Sequence, residues 1–227
     1  MPRWRNWYTR KIEVLMPQGL GVQISPWAPK MKTIFIGIAG GTGAGKSTLC
    51  SALMDKYPEK VGLIQLDDYF KPSTEVPKFA EHENWDHPDA LYLDKLAKDL
   101  SDLSKGKSII INTKNERLNP EYRKTEKRIP VKFQPMQTIL VEGYLVLLDE
   151  QIRKFLSTSI WLEADHALRY RRRVHFKYPE YEKEVLLPMH KQFAEPTKHY
   201  AEHIIDVSDL SQEQIVEKVE NILKKFL

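Results

Sequence analysis

From Thr33 onward the chain alternates short, mainly apolar runs with longer stretches in which apolar residues recur every three or four positions. The runs Ile34–Ala39, Val61–Leu66, Ser108–Ile111, Thr138–Val141, Ile160–Leu162 and Ile204–Val207 predict strands. Segments 46–57, 89–104, 149–157, 166–177, 181–200 and 210–226 predict helices. In the last of these Ile215, Val219, Ile222 and Leu223 fall on one stripe, a packing face. Strands that are apolar on both sides and separated by helices predict an α/β fold, with a parallel sheet flanked by helices on both faces. No internal repeat or low-complexity tract interrupts it.

One stretch breaks the alternation. Residues 112–135 carry Lys114, Arg117, Arg123, Lys124, Lys127, Arg128 and Lys132 around Asn119-Pro120, between two β-like runs. A β-hairpin excursion from the sheet is expected there, its charges forming a solvated surface or, alternatively, the wall of a substrate pocket.

At 227 residues the chain suits one well-cored domain. It has no apolar run near the ~20 residues that cross a bilayer, so no membrane partner is expected. The single cysteine, Cys50, forms no internal disulfide, which fits a reducing, cytoplasmic setting, and it is expected to be packed rather than reactive. Arg3, Arg5, Arg10, Lys11 and Lys30 against Glu13 account for the whole net charge of +4. Residues 31–227 are therefore formally neutral, and no nucleic-acid partner is expected. Residues 1–30 also hold Trp4, Trp7 and Trp27 without helical or strand period, and read as an irregular basic extension preceding a domain over 31–227.

The strongest chemical motif is Gly40-Gly41-Thr42-Gly43-Ala44-Gly45-Lys46-Ser47, a full G-x-x-x-x-G-K-[ST] between a predicted strand and a predicted helix. Glycines let successive N–H groups turn inward around phosphate oxygens, and the helix beginning near Gly45 adds the positive end of its dipole. These residues, with Thr48, are the expected nucleoside-triphosphate contacts; Lys46 reaches the β- and γ-phosphates and Ser47 ligates magnesium. A GTP switch is excluded on two counts. Asp67-Asp68-Tyr69-Phe70 is not Asp-x-x-Gly, and Thr113-Lys114-Asn115-Glu116 ends in glutamate where a guanine reader ends in aspartate.

Asp67 and Asp68 close the second predicted strand, at the carboxyl edge where open α/β sheets place ligands. A carboxylate there can accept a proton from an attacking hydroxyl or hold a magnesium-bound water. In Asn84-Trp85-Asp86-His87-Pro88-Asp89-Ala90-Leu91, Pro88 and Asp89 suit a helix start, and Asp86 lies where a carboxylate could bridge two sugar hydroxyls. His199 and His203 stand four apart without the adjacent glutamate of a metalloprotease helix, so no zinc is expected.

The P-loop, Asp67–Lys71, Asn84–Ala90 and Pro188-Met189-His190-Lys191-Gln192-Phe193-Ala194-Glu195-Pro196-Thr197-Lys198-His199-Tyr200-Ala201 together resemble the uridine kinase family of P-loop nucleoside kinases, in matching order from about Thr33 to Val207. The resemblance implies ATP and Mg2+ as cofactors and a nucleoside as acceptor. It implies Asp67 as the carboxylate taking the proton of the nucleoside 5′-hydroxyl and Asp86 as the holder of the ribose 2′- and 3′-hydroxyls. Glu142, in Ile139-Leu140-Val141-Glu142-Gly143, is implied as the acid that joins Ser47 around magnesium. Arg169 and Arg173 match arginines of a helical lid, one facing the phosphates and one the ribose, with Arg171 and Arg172 on a solvated face. Trp85 and Tyr69 stack on a base or line its pocket. A homo-oligomer is implied by the same resemblance. The chain departs from the family at Ile111–Tyr122, where a Pro-x-Tyr-Asp segment followed by histidine and arginine usually forms the base pocket. Asp67–Pro72 also resembles nicotinamide riboside kinases, so pyrimidine ribonucleosides are the expected acceptors with that nucleoside as the alternative.

Overall fold

The computed structural model describes residues 32–172 and 179–227. Strands β1 (Ile34–Gly40) and β2 (Val61–Gln65) are linked by helix α1 (Lys46–Lys56). Two short strands follow, β3 (Lys78–Phe79) and β4 (His82–Glu83), then helix α2 (Leu93–Ser104). Next come β5 (Ile109–Thr113), α3 (Tyr122–Thr125), β6 (Ile129–Phe133), β7 (Thr138–Glu142), α4 (Glu150–Arg153), β8 (Leu156–Glu163) and α5 (His166–Arg172). Beyond residue 178 a helical run holds α6 (Pro179–Tyr181) and α7 (Leu187–Met189), and β9 (His203–Asp206) and α8 (Gln212–Leu223) finish the chain.

Five strands form one parallel sheet in the order β2-β7-β1-β8-β9. Alternation along each strand sends side chains to two cores. Phe35, Ile139, Val141 and Trp161 pack with Leu96, Leu100 and Leu103 of α2 and Ile152 of α4. Ile36, Ile38, Leu140 and Ile160 pack with Leu49 and Leu53 of α1 and Ile215, Val219 and Leu223 of α8. Burial on both faces is why these strands read as unbroken apolar runs. Helix α8 opens with a capping box between Ser211 and Gln214.

Three expectations are corrected. The Ser108–Ile111 run is no part of the parallel sheet: β5 pairs antiparallel with β6 in a separate two-stranded ribbon, so the hairpin includes that run. Its Ile109, Ile111 and Thr113 are buried while Ile110 is 57% exposed, and a strand with one wet face does not belong inside a covered sheet. The helix expected over 149–157 is one turn, capped by Asp149 Oδ1 accepting from Gln151 N and Ile152 N, because Leu156 already pairs with Phe35 in β8. The helix expected from residue 89 begins at Leu93, after a 3-10 turn at Pro88–Ala90 that His87 Nδ1 caps by accepting from Asp89 N.

The segment 181–200 is helical but not regular. Two π-helical stretches, Glu182–Leu186 and His190–Ala194, flank α7, and a 3-10 stretch, Glu195–Tyr200, ends it. Pro188 and Pro196 have no N–H to donate, and widened or tightened turns accommodate the missing bonds. Among the described residues no helix is long and apolar enough to cross a membrane.

Candidate active site

The sheet order places the carboxyl ends of β1, β2 and β7 side by side, with Glu142 in register with both Ile38 and Gln65. The loop from Gly40 to Gly45 wraps this edge and delivers α1. Ala44 N donates to Gly41 O at 3.1 Å, and the buried Lys46 sends its Nζ back to the same oxygen at 3.2 Å. Gly43 has φ +85°, and a β-carbon built there would come within 2.6 Å of the Arg169 carbonyl oxygen. Gly41 lies directly under the Arg169 guanidinium, so α5 rests on the loop through its backbone at one glycine and its side chain at another. Arg169 Nη1 also meets His190 Nε2 at 3.3 Å. Asp165 Oδ1 caps α5 by accepting from Leu168 N at 2.8 Å.

Thr42, Gly43, Gly45, Lys46, Ser47 and Thr48 line a hollow of about 460 Å³ together with Asp67, Glu142, Tyr144 and Arg172. The remaining loop residues work from behind it. Gly40 ends β1 against Leu162, and the Ala44 side chain is packed into the core. Glu142 accepts from Gln65 Nε2 at 3.3 Å. Burial raises its pKa above the ordinary carboxylate value, with Lys46 pulling in the opposite direction. Ser47, Glu142 and Asp67 give this hollow only hard oxygen donors, which fits magnesium rather than a thiophilic metal. Among the described residues no group of three or more His, Cys, Asp or Glu is placed to hold an ion.

A second cleft, about 950 Å³, is lined by Asp67, Phe70, Trp85, Asp86, Tyr144 and Tyr181, with Thr42 at its inner end. Thr42, Asp67 and Tyr144 thus belong to both spaces. The Tyr144 hydroxyl donates to Trp85 O at 2.9 Å. Trp85 stacks edge-on with Phe70, ring centroids 5.5 Å apart, and its indole N–H donates to Glu83 Oε2 at 3.1 Å. A smaller hollow on the other side of the loop is lined by Gly45, Thr48, Arg172, Leu210, Gln212 and Ile215.

Two of the expected substrate contacts stand differently. Tyr69 does not reach the cleft: it is 2% exposed, its hydroxyl donates to Asp99 Oδ2 at 2.9 Å, and burial raises its pKa. The 3-10 turn at Leu66–Tyr69 rotates it inward while leaving Asp67 at the surface of the cleft. Arg173 lies outside the described residues. Arg172, expected on a solvated face, is exposed but lines the phosphate hollow, since i and i+3 share a helix face and Arg169 is already turned to the loop.

Sequence reasoning assigned no role to Tyr144, Tyr181 or His190, although Tyr144 stands two residues after Glu142. Nor did it single out the partners of the hairpin charges. Lys114 Nζ lies 2.5 Å from Asp67 Oδ2 and Arg128 Nη1 3.0 Å from Asp68 Oδ1. Burial raises the pKa of Asp68 above its ordinary value. Arg117 Nη2 reaches Asp55 Oδ1 of α1 at 2.6 Å. Lys114, Asn115, Glu116 and Arg117 line a third hollow of about 640 Å³ with Ser47 and Asp67. Lys114 and Arg117 thus stand in a pocket wall, while Arg123, Lys124, Lys127, Arg128 and Lys132 are exposed, so the hairpin divides between the two expected readings.

The sequence model described as Phosphoribulokinase / Uridine kinase family matches residues 35–178. A uridine kinase of Clostridium novyi (strain NT) is 32% identical over 211 residues, covering 86% of this chain and 99% of its own length. One from Halobacterium salinarum is 36% identical over 185 residues, covering 75% and 78%. In structure, the chain matches a protein described as a possible uridine kinase from Bacillus stearothermophilus with a TM-score of 0.52 at 16% identity, over 77% of this chain and 89% of that one.

Proposed function

Because the chain belongs to the phosphoribulokinase/uridine kinase family, we propose that it transfers the γ-phosphoryl group of ATP to the 5′-hydroxyl of a pyrimidine ribonucleoside. The observation that carries this reading is Asp67: one carboxylate stands in the wall common to the phosphate hollow and the acceptor cleft. Donor and acceptor therefore meet beside a group that can take a proton.

Phosphoryl transfer asks little covalent work of a protein; it needs positioning and positive charge on the transferring oxygens. The loop from Gly40 to Ser47 holds the phosphates, with Lys46 beside them and Arg169 and Arg172 covering them from α5. The hollow at Thr48, Arg172, Leu210 and Ile215 is where the purine extends. Ser47 and Glu142 would hold magnesium, which would supply charge neutralisation beside the transferring phosphate. Asp86 holds the ribose hydroxyls and Asp67 accepts the proton of the 5′-hydroxyl. Trp85 and Phe70 give the base an aromatic wall, a role that falls to them with Tyr69 in the core. Residues 31–227 are the catalytic unit, and residues 1–30 are dispensable to it.

A specific observation favours a second acceptor. The cleft is lined by Asp67, Glu81, Glu83, Asp86 and Glu180, with no lysine or arginine among its described lining residues. Such a wall favours a base carrying positive charge over an aromatic face, as in nicotinamide riboside. The test is ATP-dependent phosphorylation of uridine, cytidine, adenosine, nicotinamide riboside and 2′-deoxyuridine, by the full chain and by a version starting at Met31. Turnover of uridine or cytidine supports the first reading. Turnover of nicotinamide riboside alone replaces it with the second. ATP binding without any turnover overturns both in favour of a regulatory protein.

A further inference from the structure

The hairpin carries an ammonium group to Asp67, and we infer that Lys114 is a positioning residue for that carboxylate, an inference that rests on the phosphotransfer reading above. The pair spans 47 positions in sequence and joins two separate elements, the end of β2 and the loop after β5. An ion pair with partners a third exposed, as here at 32% and 39%, ordinarily contributes little, because two long side chains must be ordered to make it.

This one is mounted on an already ordered base. The Lys114 backbone N–H donates to Asp68 Oδ1 at 3.2 Å, and the Asp68 side chain is 2% exposed. Arg128, from the other arm of the hairpin, donates to the same oxygen. The buried Asn119 side chain donates to Thr113 O at 3.0 Å and to Lys127 O at 2.9 Å, tying the two arms together. Arg117 fixes the loop to α1 through Asp55 and Ser51. Of two adjacent aspartates, Asp68 therefore anchors the hairpin and Asp67 receives its lysine.

The consequence is geometric. A carboxylate on a surface turn rotates freely about its Cβ–Cγ bond, and a general base must be held in a productive orientation. Lys114 engages Oδ2, stopping that rotation and leaving the rest of the group to face the cleft. In the reaction the acceptor O–H breaks and its proton passes to Asp67. The acceptor oxygen bonds to the γ-phosphorus while the bond to ADP breaks, and Lys114 keeps its own protons throughout. The hairpin, which lacks the family's Tyr-Asp and histidine, here supplies a positioning charge in place of base contacts.

The test measures steady-state kinetics of the full chain with ATP, magnesium and whichever nucleoside of the panel the wild type phosphorylates fastest. Lys114→Ala, Lys114→Arg and Asp67→Asn are compared. Displacement of a reacting group by about 1 Å costs on the order of 100-fold. The expectation is that Lys114→Ala loses roughly 10- to 100-fold in kcat while KM for ATP and Tm stay unchanged. Lys114→Arg recovers most of the rate, and added ethylammonium restores Lys114→Ala in a saturable manner. If Lys114→Ala stays near the wild-type kcat while Asp67→Asn is inactive, this inference falls and the assignment of the base stands. A rate loss that follows a lowered Tm, with rescue by neither arginine nor ethylammonium, also overturns it in favour of a purely structural tie. Wild-type turnover by Asp67→Asn removes the base itself and the inference with it.

Discussion

The Tyr181 hydroxyl donates to Asp86 Oδ2 at 2.8 Å and, from its other side, accepts the Trp85 backbone N–H at 3.1 Å. Tyr181 ends α6, whereas Asp86 and Trp85 follow the short β3–β4 ribbon, so this one hydroxyl ties α6 to the wall of the cleft. Burial and the neighbouring Asp86 carboxylate raise the phenol's pKa, so its hydroxyl keeps the proton it donates. Tyr181→Phe keeps the ring, which stacks edge-on against His82, and deletes only the bond. A hydrogen bond to a charged group is worth about 1.5–3 kcal/mol. The expected outcome is a rise of about tenfold or more in the nucleoside KM with ATP KM unchanged, measured by steady-state kinetics.

Asp86 is assigned to the ribose by its place in the cleft. Asp86→Ala is expected to abolish the preference for ribonucleosides over 2′-deoxyribonucleosides, because the group that reads the 2′-hydroxyl is gone. The ratio of kcat/KM for uridine and 2′-deoxyuridine, or for the corresponding pair of the preferred base, checks it. An unchanged ratio removes the ribose role.

Gly43 is where the loop needs a residue without a β-carbon twice over, for its positive φ and for the Arg169 carbonyl above it. Gly43→Ala is expected to lose about 1–3 kcal/mol from the backbone conformation alone. ATP affinity, measured by calorimetry, is expected to fall with it, since α5 can no longer rest on the loop.

Glu142 carries a pH prediction. Burial raises its pKa in the folded protein, so the native state holds this proton more tightly than the unfolded chain does. Its contribution to stability is therefore greatest at low pH and falls as pH rises from the unfolded value, near 4.5, through the raised folded value. Glu142→Gln removes that penalty. In the absence of magnesium its Tm is expected to exceed the wild type's at neutral pH by a few degrees and to converge with it in acid. Magnesium with ATP is expected to raise the wild-type Tm more than that of the variant, because the cation compensates the buried charge.

The parts of this site that sequence conveyed are those in which chemistry lies along the chain. The loop from Gly40 to Ser47, Asp67 after β2 and Glu142 at the end of β7 each stand at a strand end, and a parallel sheet brings strand ends together by construction. Lys114 was not legible because its partner is distant in sequence, and a lysine in a basic stretch reads as solvated. Tyr69 misled for the opposite reason. Its neighbour Asp67 lines the cleft, but a 3-10 turn points successive side chains in different directions, and this one enters the core. The strand over Ile109–Thr113 was visible as a strand but not as a ribbon, since its partner, Ile129–Phe133, begins with Ile129-Pro130 amid charges and carries no apolar run.

The two spaces of the site touch only through Thr42, Asp67 and Tyr144. The other described lining residues of the acceptor cleft do not line the phosphate hollow. Descent can therefore carry one donor end through many acceptor specificities at the expense of a few substitutions apiece. By the same logic, engineering a new acceptor into this chain should begin at Trp85, Glu81 and Glu180 and leave those three shared residues alone.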